Sequence, residues 1–149
     1  MSWARNLLRL WLRARYGGDV AKTTLSKEQQ HEMARKSVAD MRASFQSRNW
    51  NETLSIHEKF KDLRSGKGLR VEAACLAVRA LVAMDDRRSA KEILNTLYDA
   101  EYHKAAHYVA LAYACLDMKQ YGFAARACER AESLRMVEDA AKKSGAVSA

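Results

Sequence analysis

The chain has 149 residues, with 26 Lys and Arg against 18 Asp and Glu, for a formal charge of +8. A hydrophobic content of 48% and a mean hydropathy of −0.44 predict one soluble domain able to bury a core. They leave no apolar run near the roughly 20 residues that span a bilayer.

Proline is absent and only six glycines occur, a composition that favours helix. No alternating β-branched run predicts a strand. The charge is uneven. Residues 1–24 carry +4 and the rest of the chain another +4, so the body is mildly basic. The three cysteines, Cys75, Cys115 and Cys128, fall within helical apolar patterns and form no CxxC pair. They are expected to be small buried hydrophobes with reduced thiols.

The first predicted element is MSWARNLLRLWLRARY. On a helical wheel Trp3, Leu7, Leu10, Trp11 and Ala14 share a face, with Arg5, Arg9 and Arg13 opposite. This amphipathic, cationic, acid-free helix resembles a mitochondrial presequence, and Arg15-Tyr16 before Gly17-Gly18 resembles a matrix-protease cleavage region. The expected compartment is the mitochondrial matrix or the matrix face of the inner membrane. Retained, the same helix would rest on a partner or a membrane surface through Trp3, Leu7 and Trp11.

Residues 16–25 read as a linker, so segment 1–24 stands apart from a helical domain over 25–136 and a tail over 137–149 that ends in disorder. Ser26 with Gln29 predicts a capping box at the start of the second element, whose stripe is Met33/Ala34, Val38, Met41 and Phe45. Asn49 with Glu52 predicts another box, opening a helix to about Leu63 with Trp50, Leu54, His57 and Phe60 inward. RSGKG, residues 64–68, has two glycines to reverse the chain. A helix follows from about Leu69 to Met84. Asp85 or Asp86 then caps one carrying Ala90, Ile93, Leu94 and Leu97. Two more are expected from near His103 to Met118 and from Tyr121 to about Leu134.

These helices pair into hairpins. NWNETLSIHEKF, DRRSAKEILNTL and QYGFAARACERA align at offsets of 37 and 34 residues, matching Trp50 with Arg87 and Tyr121, and Thr53 with Ala90 and Ala124. HYVALAYACLDMKQYGFAARACERAESL resembles a tetratricopeptide repeat, with Tyr108, Leu111, Ala112, Ala124 and Ala131 at the family's aromatic, Leu and small positions. The first two units depart from that pattern. Val78 and Leu97 replace small residues, Met41, Thr53 and Phe60 stand at key sites, and no unit ends in proline. So few units do not separate the pattern from the pentatricopeptide repeat, a 35-residue relative. Over residues 33–136 the resemblance implies an all-α, right-handed array of three helical hairpins. It speaks to architecture, not to function.

No catalytic constellation appears. GGDVAKTT and SGKG lack the spacing and preceding strand of a phosphate loop. His103 and His107 have a metal-binding spacing, but only Cys115 offers itself as a third ligand, so no metal, cofactor or catalytic residue is expected. His57 lacks the partners of a general base. Pentatricopeptide repeats read bases with polar residues, and here those positions are Val38/Ala39, Cys75/Leu76 and Val109/Ala110. Sequence-specific RNA reading is therefore not expected, whereas non-specific phosphate contact and a solvated face of a basic protein fit the charges equally. The candidate contacts are Arg35, Arg42 and Arg79 on the first helices, and Arg64, Lys67 and Arg70 in the turn, with Arg87-Arg88 adding charge.

The expected role is a non-catalytic scaffold subunit of a large mitochondrial assembly. The mitochondrial ribosome leads, with contact to protein subunits and rRNA. A respiratory-chain or ATP synthase subunit is the alternative. So is an adaptor that holds a peptide carboxylate against Arg42 and Arg79 in its groove.

Overall fold

The fold is known from a computed structural model that describes Trp3, Leu7, Trp11 and residues 25–148. Residues 25–148 form six helices and no strand. The rest of the cationic segment, with Arg5, Arg9, Arg13 and most of the linker, lies outside the described residues.

Helix α1, Lys27–Gln46, starts at a complete capping box. Gln29 N–H donates to Ser26 Oγ at 3.1 Å, and Ser26 N–H donates to Gln29 Oε1 at 3.0 Å. Its buried face is Met33, Ala34, Val38, Met41 and Ser44. Helix α2, Trp50–Phe60, buries Thr53, His57 and Phe60.

The box expected at α2 is only half built. Asn49 Oδ1 accepts from Glu52 N–H, but the Glu52 carboxylate takes its second bond from Asn49 Nδ2 at 2.9 Å. The Asn49 backbone N–H is already donated to Ser44 O at 2.8 Å, closing the end of α1. One donor serves the preceding helix and is lost to the following one.

Helix α3, Lys67–Ala83, is the central element. It buries Val71, Ala73, Cys75, Ala77, Val78, Ala80 and Leu81, and packs on α1 and α2 as well as on the two helices that follow. A helix with four neighbours has little polar face left, which explains its near-continuous apolar sequence. Helix α4, Arg87–Asn95, is capped by Asp86, whose Oδ1 accepts from Ser89 N–H at 3.2 Å. Helix α5, Ala105–Asp117, packs on α3 and on α6, Tyr121–Ser148.

Three turns share one geometry. Arg48, Asp85 and Lys119 all have positive φ, at 58°, 63° and 58°. Their N–H groups donate to the carbonyls of Phe45, Val82 and Leu116, each at 3.0 Å. The next N–H groups, of Asn49, Asp86 and Gln120, reach back to Ser44, Leu81 and Cys115, each at 2.8 Å. This left-handed helix ending satisfies the last carbonyls and lets the next helix begin at once. After each turn a small residue is buried, Thr53 and Ala90 fully and Ala124 almost so.

The core has two parts joined by α3. Ala34, Val38, Met41 and Phe60 pack with Ala73 on one side of α3. Val71, Cys75 and Val78 pack with residues of α4 to α6 on another.

Four expectations change. Helix α6 continues without a break through Ser148, so 137–148 is helix, because VEDAAKK contains no residue that stops one. Helix α2 ends at Phe60, short of Leu63. Gly68 lies inside α3 and Gly66 alone sits at the turn, as the N-cap of that helix. Cys128 is exposed, because Ala124, Ala127 and Ala131 form the buried edge of α6 and Cys128 stands beside it.

Candidate functional site

Helices α1 and α3 carry the arginines expected to meet a ligand, Arg35 and Arg42 on α1 and Arg79 on α3. Arg42 of α1 instead forms an ion pair with Glu72 of α3, and this hydrogen bond raises its pKa. Arg79 of α3 donates from Nε to Asp117 Oδ2 of α5 at 2.9 Å. The Arg79 guanidinium carbon also lies 4.8 Å from the Phe45 ring centroid and 5.2 Å from that of Tyr113. One side chain therefore touches all three first helices, and its charge is largely answered within the fold. Arg35 makes an exposed pair with Glu32 of its own helix at 3.2 Å.

The turn cations are arranged differently. Among the described residues, no carboxylate lies within ion-pair distance of Arg64, Lys67, Arg70 or Lys104. Two clefts adjoin here and share Lys67 and Tyr102. The larger, about 650 Å³, lies between the end of α2, the turn and the α4–α5 connection, with Lys61, Arg64 and Arg70 at its edge. Ser65 Oγ is buried beside it without a hydrogen-bond partner. The smaller, about 520 Å³, lies between α1, the first turn of α3 and residues 102–107. All four histidines of the chain line these clefts, His57 the first and His31, His103 and His107 the second.

Local structure explains the placement. Gly66 caps α3 with no side chain, which leaves the first amides of that helix open to the cleft. The α4–α5 connection is pinned by Tyr102, whose hydroxyl donates to Leu97 O and whose N–H donates to Tyr108 Oη, each at 3.1 Å. That fixes His103 and Lys104 over the first turn of α3. Burial lowers the pKa of His107, helped by Lys104 and opposed by Glu72 and Glu138. Burial likewise lowers that of His57.

Trp3, Leu7 and Trp11 have helical backbone and line a third cleft, of about 580 Å³, against α1 and α2. Lys36 Nζ sits 3.7 Å from the Trp3 ring centroid, a cation–π contact, and Trp3 remains 40% exposed.

The structure therefore gathers Arg35, Lys67, Arg64 and Arg70 around adjoining clefts, and sets Arg42 and Arg79 apart in internal pairs. Lys104, His31 and Tyr102 belong with the first group and carry no sequence signal for it. They meet only because α1 and the α4–α5 connection both cross the start of α3. His103 and His107 do not gain Cys115 as a neighbour. That thiol is fully buried in the core, and among the described residues no three His, Cys, Asp or Glu side chains converge on a common point.

The described chain defines an all-helical protein, and no helix among the described residues is long and apolar enough to cross a membrane. No protein-family model, curated protein or solved structure matches it at a significant level.

Proposed function

We propose that the chain is a non-catalytic scaffold subunit of a large mitochondrial assembly, with the mitochondrial ribosome first among the candidates. It is built as a tetratricopeptide-like, right-handed array of three hairpins. The array is supported by the three alike turns at Arg48, Asp85 and Lys119 and by the packing of each first helix on the next. An N-terminal amphipathic helix carries the mitochondrial address. The observation that carries the RNA-facing role is the division of the cations. Those in the first-helix row are neutralised internally, while Arg64, Lys67, Arg70 and Lys104 are exposed with no carboxylate at ion-pair distance among the described residues, as phosphate contacts would be. The same division speaks against a groove that holds a peptide carboxylate, since Glu72 and Asp117 already occupy Arg42 and Arg79.

The test is sedimentation of the tagged protein from mitochondrial lysate. It should travel with ribosomal RNA and fall to light fractions after nuclease treatment. Free monomer before nuclease would reject the proposal.

A second reading, an accessory subunit of a respiratory-chain or ATP synthase complex, is favoured by Met136 and Val137, 70% and 64% exposed on α6. It predicts migration with an inner-membrane complex in a native gel, indifferent to nuclease.

A further inference from the structure

The 520 Å³ cleft has a composition that the scaffold role does not require. Its walls carry six basic or imidazole side chains: His31 and Arg35 from α1, Lys67 from α3, and His103, Lys104 and His107 around the start of α5. The single carboxylate in the lining, Glu72, is held by Arg42. Like charges converging on a concave surface repel one another unless an anion joins them.

Two helices begin at this cleft, and neither supplies a side-chain cap of its own. At α5 the vacancy is filled from a distance. Glu138 of α6 accepts from Ala105 N–H at 2.9 Å, so an oxyanion already occupies that helix start. At α3 the N-cap is Gly66, and among the described residues no carboxylate accepts from the amides that follow it. Lys67 and Lys104 are both exposed at the rim, and Lys67 Nζ lies 5.7 Å from the Tyr102 ring centroid.

Tyr102 in the lining is 5% exposed, its hydroxyl donating to Leu97 O and its N–H donating to Tyr108 Oη. The imidazoles of His31, His103 and His107 are the other rings there.

We propose that this cleft is a phosphate-binding site, with Lys67 and Lys104 as the charged contacts and the open amides at the start of α3 as the backbone contacts, while Arg35 at its wall stays paired with Glu32. The imidazoles of His31, His103 and His107 add N–H donors around it. A tetrahedral oxyanion fits this set better than a carboxylate, because donors approach from three separate elements. A nucleic-acid backbone and a free phosphate present the same oxyanion, and the test separates the two sources. The site deepens the RNA-facing reading, since Lys67 and Lys104 serve in both, and binding by the isolated chain tests it apart from any assembly.

The test uses the full chain in dilute buffer. Inorganic pyrophosphate is titrated while backbone amides are followed by NMR, and a short single-stranded RNA is added as competitor. The expected result is saturable binding in the millimolar range or tighter, with the largest shifts at Gly66, Lys67, Gly68 and His107. Replacing both lysines (Lys67→Gln with Lys104→Gln) should weaken it by about tenfold or more, since two charge-assisted contacts are lost. Both positions are exposed, so the fold is retained, and unchanged helicity by circular dichroism checks that. The control pair Arg87→Gln with Arg88→Gln, away from the cleft, should bind as the parent does. RNA that displaces pyrophosphate assigns the site to a nucleic-acid backbone. Pyrophosphate binding that RNA cannot displace assigns it to a free phosphate. No saturation by about 10 mM, or equal binding by the lysine double variant, would overturn the proposal.

Discussion

The His107 imidazole of α5 lies directly on the backbone of Gly68 in α3. A Cβ at residue 68 would stand 2.4 Å from His107 Cε1 and 2.6 Å from Nε2, inside any tolerable contact. This glycine is required by helix–helix approach, and not by a turn. Gly68→Ala should therefore force the imidazole outward. In a His107→Ala background the three atoms nearest that Cβ are gone, and the same change should stabilise the protein by roughly 0.5–1 kcal/mol, the helix preference of alanine over glycine. Thermal melts of the four-member cycle decide it. An equal gain in both backgrounds would show that the two residues are not coupled.

Arg79 joins three helices through one guanidinium, bonded to Asp117 and flanked by the rings of Phe45 and Tyr113. Its side chain is 29% exposed and that of Asp117 34%, so solvent screens the pair only in part. Arg79→Ala is expected to cost about 1–2 kcal/mol, ring contacts included. Arg79→Lys should restore less than half, because an ammonium cannot lie flat between two rings. Urea unfolding measures both, and full recovery by lysine would refute the stacking role.

His57 is buried at 7% exposure, and burial lowers its pKa, with Lys61 adding to the shift and Glu58 opposing it. The unfolded chain takes up this proton near pH 6.5, whereas the folded chain resists it. Stability is thus complete above about pH 6.5 and falls as the pH drops below it. His107, shifted the same way by burial, contributes in the same direction. His57→Leu should shrink the difference in melting temperature between pH 7.5 and pH 5.5, and leave a remainder from His107. An unchanged difference would mean that His57 is accessible to protons in the folded state.

Thiol chemistry separates the three cysteines. Burial pushes Cys75 up to about 12 and raises Cys115, while Cys128 is exposed. A thiolate-trapping reagent at pH 8 should modify one thiol quickly and the others only on unfolding. Cys128→Ser should abolish the fast phase. A second fast thiol would place Cys75 or Cys115 outside the core.

Glu138 caps α5 from the extended part of α6. Glu138→Ala leaves Ala105 N–H unmet and should cost about 1 kcal/mol, as loss of a helix cap does. Truncation after residue 136 should cost at least as much. A truncated chain with the parent's stability would return 137–148 to the status of a passive tail.

How much of this was legible follows from the range of each interaction. Ser26 with Gln29 and Asp86 before Arg87 act over three residues, so reading along the chain finds them. Helical periodicity located the six helices, and rows of small residues marked the buried sides after each turn, because steric demand within a hairpin is local. Other features depend on residues far apart in sequence. Arg42 and Arg79 looked like free cations until α3 and α5 brought Glu72 and Asp117 beside them. Asn49 could not complete its box because the end of α1 had already claimed its N–H. Cys128 shares its apolar neighbourhood with Ala127, yet only packing on α5 decides which of the two turns inward. His31, Lys67 and Lys104 gain a common cleft from the crossing of three elements. Patterns of capping and periodicity, each confined to a turn or two, were thus sufficient to find the helices, though not to place the ends of α2 and α6. The division of charges into those answered within the fold and those left for a partner was decided by tertiary packing alone, since a charge is neutralised by what lies near it in space.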